Sequence, residues 1–130
     1  MTKQEHIDYW IRSSNDDFEI FKTLNRSKKY VFALFTAHLI LEKLIKAHWV
    51  KDNESSIPPK THNLVYLANQ TELNLSSDDM ELCAQFNDFQ LQGRYPDYQF
   101  KIHKQITEDI YKDNSKKFQE LRKCLLKKIV

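Results

Sequence analysis

The sequence predicts an all-α fold, an antiparallel up-and-down bundle of four to five helices, and three observations carry that prediction. Apolar residues recur at helical spacing along most of the chain. Only one glycine and three prolines stand among 130 residues, so the backbone has few places to break. No stretch alternates apolar and polar residues as a half-buried strand does, and neither an internal repeat nor a sustained heptad is visible. A chain of this length fits a single domain, 1–130, which buries roughly two thirds of its unfolded surface without help from disulfides or metals.

Taken in order, Thr2-Lys3-Gln4-Glu5 matches a capping box, and Ile7, Trp10, Ile11, Ser14, Phe18 and Phe21 then trace the inner stripe of a first helix. Asn25-Arg26-Ser27 reads as a short turn, which makes the next helix an antiparallel neighbour. Its stripe is Tyr30, Ala33, Leu34, Ala37, Leu41, Leu44, Ile45 and His48. Residues 51–60 are polar and end in Pro58-Pro59, hence a loop. Thr61 is placed to cap a shorter third helix with Leu64, Leu67 and Ala68 inside. Ser76-Ser77-Asp78-Asp79 suits the positive end of a fourth helix, which buries Leu82, Cys83, Phe86 and Phe89 and stops at Gly93. A last helix, from about Ile102, turns Ile106, Ile110, Phe118, Leu121 and Leu125 inward, with Asn114 as the polar exception on that stripe. Cys83 and Cys124, far apart in sequence, read as small core residues and not as a disulfide or metal pair.

Charge and motifs exclude several functions. Twenty cations against 18 carboxylates leave a formal charge of +2, too little for a protein that coats nucleic acid by charge alone. Lys116, Lys117, Arg122, Lys123, Lys127 and Lys128 crowd the end of the last helix, where they read first as complements to its dipole and second as an RNA-binding patch. No apolar run approaches a membrane span or a signal peptide, so the expectation is a cytoplasmic protein with no membrane contact. One glycine cannot build a phosphate loop, and His38 and His48 are ten residues apart with no zinc motif; neither cofactor nor metal is expected.

The break after the fourth helix carries the most chemistry. Arg94, Tyr95 and Asp97 put a planar cation, a stackable phenol and a carboxylate within four residues of a turn, a set suited to an anion and a ring. A plainer reading has Arg94 neutralising the last carbonyls of the helix or pairing with Asp97. On the second helix, Glu42 and Lys46 stand four apart in the favourable order for a surface pair. Together with Lys43 they either serve solubility or line a groove overlooked by the Arg94 turn. His38, one turn earlier, belongs to that groove or to the core, and His62 approaches the same cleft from the start of the third helix.

With these residues assembled, the chain resembles the HEPN family of small helical domains. The likeness rests on Tyr9-Trp10 through Phe21, on the second-helix run from Ala37 to Ala47, on Thr61-His62-Asn63-Leu64, and on Arg94-Tyr95-Pro96-Asp97. The resemblance implies a helical bundle that pairs as a homodimer and binds a nucleotide, or a minimal nucleotidyltransferase partner in a toxin–antitoxin pair. It further implies, for one branch of the family, metal-independent RNA cleavage by an arginine followed after four to six residues by a histidine. Here that pair is Arg94 and His103, with eight residues between them. RNA cleavage without metal needs a cation for the phosphorane and a base for the 2′-hydroxyl; Arg94 supplies the first, and His103 or His62 the second. The leading reading is therefore a nucleotide- or partner-binding module at Arg94, Tyr95, Asp97, Glu42, Lys43, Lys46 and His62. An endoribonuclease toxin using Arg94 and His103 is the alternative, and a purely structural interaction module the second alternative. Phe86, Phe89, Tyr98 and Phe100 would form the apolar wall of the groove or the dimer seam.

Overall fold

Thr2 does begin the first helix. Its hydroxyl accepts from the Glu5 backbone while Glu5 reaches back to the Thr2 backbone, so two otherwise unpaired donors are satisfied at once. In the computed structural model, which describes residues 1–94 and 105–129 but not the side chains of 91–94, five helices follow in order. They are α1 (Lys3–Arg26), α2 (Tyr30–Asp52), α3 (Leu64–Asn69), α4 (Ser77–Arg94) and α5 (Glu108–Lys128). No strand occurs among the described residues.

Long-range side-chain bonds fix the directions of the helices. Lys3 at the start of α1 donates to the carbonyl of Val50 at 2.6 Å and to that of Asn53, capping the end of α2. Tyr111 at the start of α5 stacks on Tyr30 at the start of α2, while His48 near the end of α2 bonds the Leu125 carbonyl at 2.9 Å. Hence α2 runs antiparallel to α1 and parallel to α5, as an up-and-down bundle requires.

The sequence stripe understates α2. Val31, Ile40 and Val50 are buried together with the expected positions from Ala33 to His48, and Tyr30 is partly buried, because α1, α3, α4 and α5 all pack against this one helix. A helix covered on every side is a core helix, even where it carries polar side chains. Phe118 ties the outer layer together, with its ring 4.9 Å from Phe21, 6.1 Å from Phe86 and 6.4 Å from Phe18. Phe86 and Phe89 thus belong to the core, not to an outer wall or seam.

Four local expectations change. The turn expected at Asn25-Arg26-Ser27 comes later: α1 continues through Arg26 and closes as a Schellman motif. In it Lys29 N–H bonds the Leu24 carbonyl at 2.9 Å and Lys28 N–H bonds that of Asn25 at 3.2 Å. Lys28 takes φ 58° there, a left-handed position where the sequence offers no glycine to signal it. Asn63, not Thr61, caps α3 by accepting from Tyr66 N–H; Thr61 instead props the Asn63 backbone. The last helix begins at Glu108 behind the Thr107 cap, and Ile110, expected inside, is exposed. Tyr111 occupies the inner position, and Asn114 is buried with its amide donated to the Ile110 carbonyl at 3.0 Å. Both cysteines are free, and burial pushes the Cys83 thiol up to about 12.

Candidate functional site

His38, Glu42 and Lys46 stand at i, i+4 and i+8 on α2, so one face of the helix presents all three. Because α2 is the central helix, that face is covered. The side chains of Glu42 and Lys46 are only 8% and 9% exposed, and the pair at 3.0 Å is therefore not the solvated surface pair of the plainer sequence reading. Trp10 of α1 covers the ammonium, its ring centroid 5.4 Å from Lys46 Nζ. A dry cation over an indole gains more than a wet one.

The second carboxylate oxygen of Glu42 meets His62, whose Nδ1 lies 2.8 Å from Oε1. Nδ1 must donate to this carboxylate, so the neutral ring carries its lone pair on Nε2. The His62 side chain is half exposed, and it brings the buried charge of Glu42 to the surface. Its backbone is fixed from below, where the Nε2–H of His38 donates to the His62 carbonyl at 2.8 Å. A carbonyl cannot donate, which leaves Nδ1 of His38 bare. Asn87 of α4 approaches it, but its side chain bonds Leu64 N–H at 2.9 Å and Asn63 Oδ1 at 3.0 Å, and Nδ1 has no hydrogen bond to a described residue. Burial then lowers the His38 pKa to about 4, against the opposing pull of the His62 carbonyl and the Glu42 charge.

Three of the expected binding residues thus converge: Glu42, Lys46 and His62. Lys43 does not join them. One position along α2 it faces α1, where its ammonium is held by Asp17 at 2.6 Å and Ser13 at 2.7 Å. Position 94 closes α4 seven residues beyond Asn87, two turns or about 10 Å along the helix. Tyr95, Asp97 and His103 lie outside the described residues, as does the Arg94 side chain.

Trp10, Asn63 and Asn87 were not anticipated as parts of the site. Trp10 was legible only as one member of an apolar stripe, and no local pattern distinguishes Asn87 from any helix-surface asparagine.

A family model described as HEPN domain matches residues 7–129, nearly the whole chain. The chain belongs to the HEPN domain family. No curated protein and no solved structure shows a significant match to it. In this HEPN domain the match spans all the elements that build the polar cluster, from Trp10 on α1 to Asn87 on α4. No described helix is long and apolar enough to cross a membrane, and no group of three or more His, Cys, Asp or Glu among the described residues is placed to hold a metal ion.

Proposed function

We propose that this HEPN domain binds a nucleotide at His62 and the turn that follows Arg94, and that it does so as a cytoplasmic homodimer working with a minimal nucleotidyltransferase in a toxin–antitoxin pair. The observation that carries the ligand site is the buried Glu42 carboxylate shared between Lys46 and His62, next to the α4 helix that delivers position 94. A charge network of this kind costs several kcal/mol to desolvate and is no cheap way to hold two helices. It does position one half-exposed imidazole. Membership of the family supports a nucleotide as the ligand; the dimer and the transferase partner rest on the resemblance carried by the first helix, the Ala37 to Ala47 run, Thr61-His62-Asn63-Leu64 and Arg94-Tyr95-Pro96-Asp97 together.

Thermal stabilisation by AMP, GMP and ATP tests the site. A nucleotide at a hundred times its Kd stabilises by about 2.7 kcal/mol. That gain should fall sharply in His62→Ala and Arg94→Ala, since losing a hydrogen bond to a charged group costs about 1.5–3 kcal/mol. No stabilisation of the wild type by any of the three would reject the site. Light scattering at micromolar concentration reports the dimer, and co-purification with a nucleotidyltransferase encoded beside it reports the partner.

One observation favours a second reading, metal-independent RNA cleavage. A carboxylate that holds one ring nitrogen of a histidine fixes its tautomer and orientation, as a general base requires. In that reaction His62 would take the 2′-hydroxyl proton and Arg94 would meet the phosphorane charge. Cleavage of a mixed RNA pool by the wild type, absent from His62→Ala, Glu42→Gln and Arg94→Ala prepared identically, would establish it. Activity that survives all three variants would assign the cleavage to a contaminant.

A further inference from the structure

Charge is segregated along this chain in a way that its small net value conceals. Residues 115–128 carry six cations, Lys116, Lys117, Arg122, Lys123, Lys127 and Lys128, against Glu120 alone, a formal +5 within a chain of +2. A helix dipole calls for cations only in the last turn. Yet Lys112 and Lys116 lie in the first half of α5. With Lys123 and Lys127 they fall at i, i+4, i+11 and i+15, one face of the helix.

That face walls a groove of about 430 Å³ between α5 and the end of α1, lined by Lys112, Lys116 and Lys123 with Asn25 opposite and Glu120 as the one carboxylate. Lys112 is engaged by Glu108, whereas Lys116 and Lys123 are exposed and pair with no described carboxylate. Beyond Asn25 the chain turns through Arg26, Lys28 and Lys29, all exposed, with no acidic residue between them. The cations therefore continue around the end of the bundle.

The spacing of the stripe selects its ligand. From Lys116 to Lys127, the lysines of the stripe with no described carboxylate partner, the helix rises about 16 Å, which matches a short row of phosphates and exceeds a single nucleotide. Gln119, partly exposed between the lysines, is a polar partner for ribose 2′-hydroxyls, its amide steadied by donating to the buried Ser115 at 3.1 Å. Tyr111 at the base of the groove is buried and its hydroxyl is committed to Asn25 at 2.7 Å, so it offers no stacking platform. We propose that this groove carries the phosphate backbone of an RNA strand without reading its bases. The surface shares no residue with the His62 cluster, and it goes beyond nucleotide binding there.

Fluorescence anisotropy of a labelled mixed-sequence RNA of about 20 nucleotides, titrated with the full chain between 50 and 200 mM salt, tests the proposal. Binding should weaken steeply with salt. Lys116→Glu/Lys123→Glu should lower affinity at least tenfold and flatten the slope of log K against log salt by about 1.4, two contacts at ~0.7 each for a single strand. Lys117→Glu/Lys128→Glu makes the same charge change on other faces of α5 and should leave that slope unchanged. Nucleotide-induced stabilisation at the His62 cluster should persist in both variants, so a failure here is distinguishable from a failure of the proposed function. Equal losses in the two double variants, or the absence of wild-type binding at 50 mM salt, would overturn the proposal. So would DNA of the same sequence binding as tightly, or polyglutamate competing as well as RNA, since either names a different partner. Circular dichroism melting confirms that the variants fold.

Discussion

Lys46 is held where a lysine is rarely found, nearly buried between Glu42 and the face of Trp10. An exposed pair contributes at most about 1 kcal/mol, whereas removing one partner of a buried pair costs about 3–5 kcal/mol because the other charge is left without compensation. Lys46→Met should therefore lose about 3 kcal/mol in urea denaturation, and Glu42→Gln/Lys46→Met should lose less than the single variant. A single-variant loss below 0.5 kcal/mol would mean that water screens the pair. His38 makes the second residue-scale prediction. Its pKa is about 4 when folded and near 6.5 when unfolded, so below pH 6.5 only the unfolded chain takes up the proton. Stability contributed by the neutral ring is complete above pH 6.5 and is lost as pH falls towards 4, by about 3 kcal/mol. His48, also lowered chiefly by burial, adds to the same slope. Melting temperatures across that window should fall less steeply in His38→Gln than in the wild type.

At the scale of elements, α3 is the least self-sufficient piece. Six residues form little more than one turn, far below the length at which a helix holds alone. It persists through Asn63, which caps it, and Asn87, which accepts from Leu64 N–H and donates to the cap residue. Asn87→Ala should cost about 1–3 kcal/mol, the range for leaving a part-buried donor unsatisfied. Amide exchange should accelerate first in residues 63–69; acceleration spread evenly over α2 would place the damage elsewhere. Lys28 is the complementary case. Its left-handed φ costs about 1–2 kcal/mol in any residue with a Cβ, while glycine gives back roughly 0.5–1 kcal/mol through the entropy of the unfolded chain. Lys28→Gly should thus gain a few tenths to about 1 kcal/mol.

These two places also show how far the sequence could be read. The capping box at Thr2 was visible because it is made within four residues. The Asn63 cap is just as local, made to Tyr66 N–H, but it competes with Thr61 two residues earlier; what no local window holds is Asn87, which arrives from 24 residues away to support it. Similarly, Glu42 and Lys46 were legible as a pair from their spacing, but their burial follows from the central place of α2, which no window of local sequence contains. Ile110 left the expected inner stripe for a related reason, while Asn114 stayed on it: Tyr111 pairs with Tyr30, and that contact sets the rotation of α5.

For the molecule as a whole, cooperativity should centre on Phe118. Its ring touches Phe18 and Phe21 of α1 and Phe86 of α4, so one side chain of α5 joins three helices around the hub of α2. Phe118 is fully buried, and truncating such a phenylalanine costs about 3–5 kcal/mol when its neighbours cannot close the void. Closure is obstructed here, because the facing rings are held by other contacts, Phe18 beneath the Arg122 guanidinium at 3.6 Å and Phe86 against Phe89 at 5.1 Å. Phe118→Ala should accordingly lower the unfolding free energy by that amount, through a lower denaturation midpoint at an unchanged m-value, since all helices unfold together in a small two-state domain. A lowered m-value or a second transition would mean that α5 detaches before the rest. The bundle would then be a core of α1 to α4 with an added arm, and the lysine stripe of α5 would sit on an element able to leave the fold.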